Sequence, residues 1–276
     1  MNKGGRRLFG FLVGTAVTWA FAVKPRVWGK PDMSEICRYD YARRGLFDPN
    51  GKVPENSLAA CRAAIEHGYG VCLDVRITRD GIPALFHDER TYRMTGVDGT
   101  VENSTLAELK ELRLGKSEET IPTLKEALDL IDGQVPVILE LHVQNGNYDA
   151  LSDLTCEVVD AYEGVFALQC VDPRVLRWFR QQRNEYIRAQ MVDYHHSSGI
   201  TIMSRVWDLF CASLFLNFLT EPDLLFCGPG SQMNPSVWLC RVLYRTPRLT
   251  GTVKTIGEYE QVKTDGAVAV FEAIEP

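Results

Sequence analysis

From Cys37 to Phe271 the chain alternates short apolar runs with longer amphipathic ones. The strand-like runs are CRYDYA at 37, GVCLDV at 70, PALFH at 83, PVILEL at 136, VFALQC at 165, YIRAQM at 186, DLLFC at 223, RLTGTV at 248 and AVAVF at 267. Between most of them lie helical patterns, among them PENSLAACRAAIEHG, TLKEALDLI, DALSDLTCEVVDAYEG, DPRVLRWFRQQR, NPSVWLCRVLYR and TIGEYEQVK. Repeated β-then-α order implies parallel strands joined by crossover helices. About eight such units in one chain predict an α/β fold of the TIM (β/α)8 barrel type rather than an open sheet.

Two stretches depart from the alternation. Asp80-Gly81 is a strong turn signal between two strand-like runs and predicts a hairpin at the barrel rim. Residues 89–123 are longer than a connection needs and read as a small insertion over the mouth, after the second strand region. The barrel is then expected over 36–276.

Ahead of it, Leu8 to Val23 is an apolar run with no polar face, flanked by Lys3, Arg6 and Arg7 on one side and Lys24 and Arg26 on the other. A hydrophobic helix is expected in residues 1–30. The run is slightly short of the roughly 20 residues that cross a bilayer, but Val27 and Trp28 extend it toward the interface. It reads as an uncleaved single-pass membrane anchor, with a secretory signal peptide cut near Ala20-Phe21-Ala22 as the rival. Basic residues at both ends leave the orientation open, with the cytoplasmic face favoured for the barrel.

Composition narrows the partners. A formal charge of −6 and a pI near 5.5 argue against nucleic acid held by general phosphate attraction. The eight cysteines form no CxxC pair, which suits buried thiols in a reducing compartment better than a disulfide framework.

Candidate chemistry falls at strand ends. Asp74, the His87-Asp88 pair, Glu140 and His142 all lie near the carboxyl ends of expected strands, which converge on one face of a barrel. Singly, each has a structural explanation as a cap, turn or satisfied histidine. Together with Arg44 they suit a phosphate-handling site, in which carboxylates hold a hard cation and an imidazole moves a proton.

The motifs PENSLAA, LDVRITRDG, FHDERTYRMTG and IPTLKEAL, in that order, make the chain resemble the glycerophosphodiester phosphodiesterases, metal-dependent TIM barrels. The runs RWFRQQRNEYIRAQ, LNFLTEPD and VAVFEAIEP are similar to a membrane-anchored bacterial branch of that family. The resemblance implies hydrolysis of a glycerophosphodiester to an alcohol and glycerol 3-phosphate with a divalent cation, Mg²⁺ or Ca²⁺. It also implies a small glycerophosphodiester or lipid headgroup as ligand, and membrane contact through the N-terminal segment.

Against the family pattern the site is degenerate. The family reads His-Arg-Gly, Glu-x-Asp, His-Asp and Glu-x-Lys; this chain reads Arg43-Arg44-Gly45, Cys72-Leu73-Asp74, His87-Asp88 and Glu140-Leu141-His142. The resemblance assigns catalysis to His87 and Arg44, with Arg43 in the first histidine's place. Substrate binding falls to Arg44 and His142, and metal binding to Asp74, Glu140 and Cys72. Arginine stays protonated and cannot act as a base, although it can stabilise a phosphoryl oxygen. A neutral thiol is a poor donor to Mg²⁺ or Ca²⁺, so the cation is expected to be weakly held or lost unless a softer ion such as Zn²⁺ uses Cys72. His142 offers a replacement acid-base group. An inactive family member that binds a headgroup as sensor or scaffold is the alternative, and a metal-independent phospholyase a third.

Overall fold

The structure, a computed structural model, describes residues 3–192, 206, 209–228 and 230–276, with side chains from residue 11 onward except that of residue 232. The His195-His196 pair and Trp207 lie outside the described residues. Nine strands form one sheet: β1 (Tyr41–Arg43), β2 (Gly70–Ile77), β3 (Pro83–Leu85), β4 (Val137–Leu141), β5 (Phe166–Cys170), β6 (Ile187–Met191), β7 (Leu224–Cys227), β8 (Arg248–Val253) and β9 (Val268–Phe271). β3 is an antiparallel flap on β2, and the others run parallel. β1 pairs with both β2 and β9, so the sheet closes into the expected barrel and leaves no free edge among those strands.

Helices follow most strands. The early ones are α1 (Lys3–Ala22), α2 (Ser34–Arg38), α3 (Leu58–Glu66), α4 (Tyr92–Thr95), α5 (Leu106–Lys110) and α6 (Leu124–Ile131). Then come α7 (Tyr148–Val159), α8 (Pro173–Gln182), α9 (Asn217–Thr220), α10 (Pro235–Tyr244) and α11 (Ile256–Thr264). Local chemistry sets several starts. Thr123 and Glu126 form a capping box on α6, while Asp172 and Asn234 cap α8 and α10 ahead of a proline in the first turn.

The period-two pattern of the strands separates two cores. Outward residues such as Val71, Leu73, Val75, Val137, Leu139 and Leu168 pack under the helices. Inward residues including Tyr41, Cys72, Ile138, Ala167, Ala189, Leu224, Leu249 and Val270 fill the barrel. Register partners set the layers: Cys72, Ile138 and Ala167 form one apolar level, and Asp74, Glu140 and Gln169 form a polar level nearer the carboxyl end. That shift from apolar to polar builds the site.

Residues 89–123 carry α4 and α5 and pack on a small core of their own, in which Val101, Leu109, Leu114 and Ile121 meet Ala84 and Phe86 of the flap. At the other end of the chain, α1 is docked by its last turns. Trp19 Nε1 donates to Ser236 Oγ (3.1 Å) and Tyr244 OH donates to the Ala20 carbonyl (2.8 Å). Val23 and Arg26, both inside the stretch read as an anchor, are buried against the barrel, with Arg26 Nε 3.2 Å from Asp223 Oδ1. Among the described residues no helix is long and apolar enough to cross a membrane.

Candidate active site

The turn after β1 sets the arrangement. Arg44 has φ 60°, and the Asn56 amide donates to its carbonyl (2.8 Å). Gly45 has φ 78°, and a Cβ there would meet the Ala60 backbone at 2.7 Å, so only glycine fits the passage under α3. The turn sends Arg43 and Arg44 to different acidic groups of one site. Arg43 donates to Glu140 Oε2 (3.2 Å) and Thr252 Oγ1 (3.0 Å). Arg44 Nε lies 3.3 Å from Asp74 Oδ2, and its Nη1 donates to Glu55 Oε2 (3.2 Å).

On the polar level, His142 Nε2 is 2.7 Å from Asp74 Oδ1 and 3.7 Å from Glu140 Oε1. The outer carboxylate oxygens are already engaged: Asn56 Nδ2 donates to Asp74 Oδ2 (2.8 Å), and Gln169 Nε2 donates to Glu140 Oε2 (3.1 Å). Burial pushes the Asp74 carboxyl up, yet the His142 hydrogen bond and the charges of His142, His87 and Arg43 hold it well below the usual carboxylate range. Burial works against the Arg43 charge, but Glu140 and Asp74 outweigh it and leave the guanidinium more firmly protonated than a free one.

Asp74, Glu140 and His142 form a possible metal site, their donor atoms within 4.8 Å of one another. A divalent ion fits these donors, since each carboxylate turns one oxygen toward the imidazole and has the other hydrogen-bonded elsewhere. Cys72 is not in the cluster. Register places it one level below, opposite Ile138 in the apolar layer, and a thiol that ends one bond past Cβ is too short to join the level above. Burial, with Glu140 next, pushes its thiol well up, so it offers no thiolate.

Across the mouth, His87 follows the flap. Its Nδ1 is 2.8 Å from Asp88 Oδ1, and its ring meets that of His142 edge to face at 5.4 Å between centroids. Arg76 donates twice to the His87 carbonyl (2.9 and 3.1 Å), which fixes the backbone. Asp88 also takes a short hydrogen bond from Arg93 of α4, and Arg93 Nη1 reaches Glu55 Oε2 (3.1 Å). Burial raises the Asp88 carboxyl, and the Arg93 and His87 hydrogen bonds more than reverse that. An imidazole held this way presents its Nε2 as an acid-base group.

His87, Arg43, Arg44, Asp74, Glu140 and His142 therefore come together as the strand ends suggested, and Cys72 lies beneath them. Glu55, Asn56, Arg93, Gln169 and Thr252 were not anticipated as site residues. The PENS run held the signal for the first two, since its asparagine precedes the Ser57 cap and adopts φ 52°.

A closed parallel barrel that gathers carboxylates, imidazoles and guanidinium groups at one rim is the arrangement of a phosphate-handling barrel protein. The profile of the glycerophosphoryl diester phosphodiesterase family matches residues 48–218, and the chain belongs to that family. A glycerophosphodiester phosphodiesterase from Bacillus altitudinis is 27% identical over 207 residues, covering 71% of this chain and 75% of that protein. One from Caldanaerobacter subterraneus is 39% identical over 101 residues, covering 34% of this chain and 41% of that protein. Among solved structures, a phosphodiesterase from Oleispira antarctica in complex with the product sn-glycerol-3-phosphate superposes with a TM-score of 0.69 at 24% identity, over 86% of this chain and 94% of that one. The glycerophosphodiester phosphodiesterase of Thermotoga maritima gives a TM-score of 0.66 at 20% identity, over 86% and 95%.

Proposed function

We propose that the chain hydrolyses glycerophosphodiesters to an alcohol and glycerol 3-phosphate, at a reduced rate. The observation that carries this reading is the His87–Asp88–Arg93 relay facing Arg43, Arg44 and the Asp74–Glu140–His142 cluster across one barrel mouth. Water supplies the hydroxyl that ends on phosphorus, the bond from phosphorus to the alcohol oxygen breaks, that oxygen takes a proton from His87, and the proton that the water gives up restores the imidazole. His87 is the proton donor, because His142 is committed to Asp74 and Glu140. Arg43 and Arg44 neutralise the phosphoryl oxygens, where charge builds in the transition state. Asp74, Glu140 and His142 would hold a divalent ion, which when bound polarises a phosphoryl oxygen. With an arginine in place of a second free imidazole, the rate should fall about 10²- to 10⁴-fold below that of a two-histidine site.

The test is hydrolysis of glycerophosphocholine and glycerophosphoethanolamine by the full chain, with and without divalent ions. Turnover that disappears in His87→Ala while the fold is kept supports the reading. The Arg43 exchange also favours a second reading, an inactive headgroup binder. That reading gains if glycerol 3-phosphate binds, no product forms, and Arg43→His switches turnover on.

We further propose that the protein associates with a membrane through α1, with the barrel on the cytoplasmic side. Support comes from the exposed Phe11, Leu12, Val13 and Val17 of α1, together with exposed Leu209, Trp238 and Val242; eight cysteines with no CxxC pair favour the cytoplasmic side. Phe210 and Phe215 add to this exposed apolar surface, whereas Leu214 is buried. Vesicle co-sedimentation lost on Val17→Asp, and a barrel protected from protease in intact cells, are the expected results.

A further inference from the structure

We propose that the Asp74–Glu140–His142 cluster takes a first-row transition ion such as Mn²⁺, Co²⁺ or Zn²⁺ in preference to Mg²⁺ or Ca²⁺, with His142 Nε2 as a direct ligand. The inference deepens the hydrolase reading, but it concerns binding and does not require turnover.

The donor set is the first ground. Where the family pattern has three carboxylates and a lysine nearby, this chain has two carboxylates and an imidazole: the glutamate position is Cys72, out of reach, and the lysine position is His142, in reach. Mg²⁺ and Ca²⁺ depend on charged and neutral oxygen donors, whereas imidazole suits Mn²⁺, Co²⁺ and Zn²⁺ progressively better. Charge is the second ground. Asp74 and Glu140 already face Arg43 and Arg44, so the pocket lacks the negative excess that draws in a hard cation. That deficit weakens every divalent ion alike and leaves the imidazole nitrogen as the donor that discriminates among them.

Orientation is the third ground. Arg43 and Gln169 hold Glu140 by Oε2, and Asn56 holds Asp74 by Oδ2, which leaves Oε1 and Oδ1 turned to His142 Nε2 at 3.7 and 2.7 Å. Outer partners that fix ligand oxygens in this way are what a metal site needs. A further donor stands beside them: Gln169 is wholly buried, its Nε2 is on Glu140, and its Oε1 has no partner. An unpaired buried amide oxygen is costly, and a cation on the same level removes that cost.

The experiment strips the full chain with chelator and titrates it with Mn²⁺, following the free-ion paramagnetic resonance signal, in competition with Mg²⁺ and Ca²⁺. Pulsed resonance of the bound Mn²⁺ then reports nitrogen coordination. The expected results are Mn²⁺ at least about tenfold tighter than Mg²⁺ and imidazole nitrogen modulation in the bound spectrum. His142→Ala should remove that modulation and weaken Mn²⁺ by at least about tenfold, since outer-shell partners alone are worth 10- to 100-fold. Should His142→Ala fail to fold, the spectrum of the unmodified chain decides alone. An oxygen-only spectrum, equal affinity for Mg²⁺, or no bound Mn²⁺ overturns the proposal. Nitrogen-ligated Mn²⁺ without hydrolysis of glycerophosphocholine would sink the hydrolase reading and leave this one standing.

Discussion

Arg43 shows how one exchange redirects a site. Its guanidinium lies in the mouth of the barrel, satisfied by Glu140 and Thr252, and has no proton to give or take at working pH. Restoring imidazole should therefore add an acid-base group and leave Glu140 Oε2 to Gln169 alone. The expected outcome for Arg43→His is a kcat raised by about 10²- to 10⁴-fold on glycerophosphocholine, with KM changing less. A drop in kcat would mean that the guanidinium itself stabilises the transition state. Asp74, His87 and Glu140 were legible in the sequence because barrel topology sends strand ends to one rim. His142 was legible as a site residue but not as a partner of Asp74, since its part depends on a 2.7 Å contact across two strands. Cys72 was misleading for a matter of side-chain length: the position faces the barrel interior one level below the mouth, and the thiol is too short to reach it. Glu55, Asn56 and Arg93 sit in loops and a four-residue helix, where no periodicity points to them.

Among the elements, every strand run read from the sequence has its counterpart, because buried strands declare themselves by short apolar blocks between turn residues. What the pattern did not disclose is how the termini of elements are tied. Asp160 at the end of α7 accepts from Arg183 at the end of α8 (2.6 Å) and from Tyr186 before β6. The Arg183 hydrogen bond, against some burial, holds the Asp160 carboxyl down at about 2. A depressed carboxylate contributes stability above its unfolded value of 3.8 that is lost as pH falls through the folded one. Asp160→Asn should thus flatten the acid limb of a stability–pH curve between those values. The group is largely solvated, so the loss near neutrality should stay below about 1 kcal/mol, read by urea unfolding. A second tie is larger. Arg26 donates to the Tyr186 carbonyl (3.3 Å) and pairs with Asp223, which has no exposure. Arg26→Ala takes the ion-pair partner from a buried carboxylate that keeps only the Arg188 amide as a hydrogen-bond donor, and a loss of about 3–5 kcal/mol is expected in the same assay.

At the scale of the whole molecule, closure of β1 on both β2 and β9 makes the barrel one cooperative body, with the polar level of Asp74, Glu140 and Gln169 resting on the apolar one. An ion held at that level ties β2 to β4 and binds only the folded state. At one hundred times its Kd, Mn²⁺ should add about 2.7 kcal/mol and raise Tm by roughly 5 °C, with a smaller shift from equal Mg²⁺; a calorimetric scan checks it. The buried place of Val23 and Arg26 also bears on how the protein can be trimmed. Removal of everything through Ala22 at the small-residue site would strip the whole of α1, its Trp19 and Ala20 contacts included, and keep Val23 and Arg26 in place. A start at Pro31, by contrast, would discard the arginine that neutralises Asp223 and yield a chain prone to aggregate. The first residue that the barrel itself buries is therefore Val23, inside what hydrophobicity alone marks as leader.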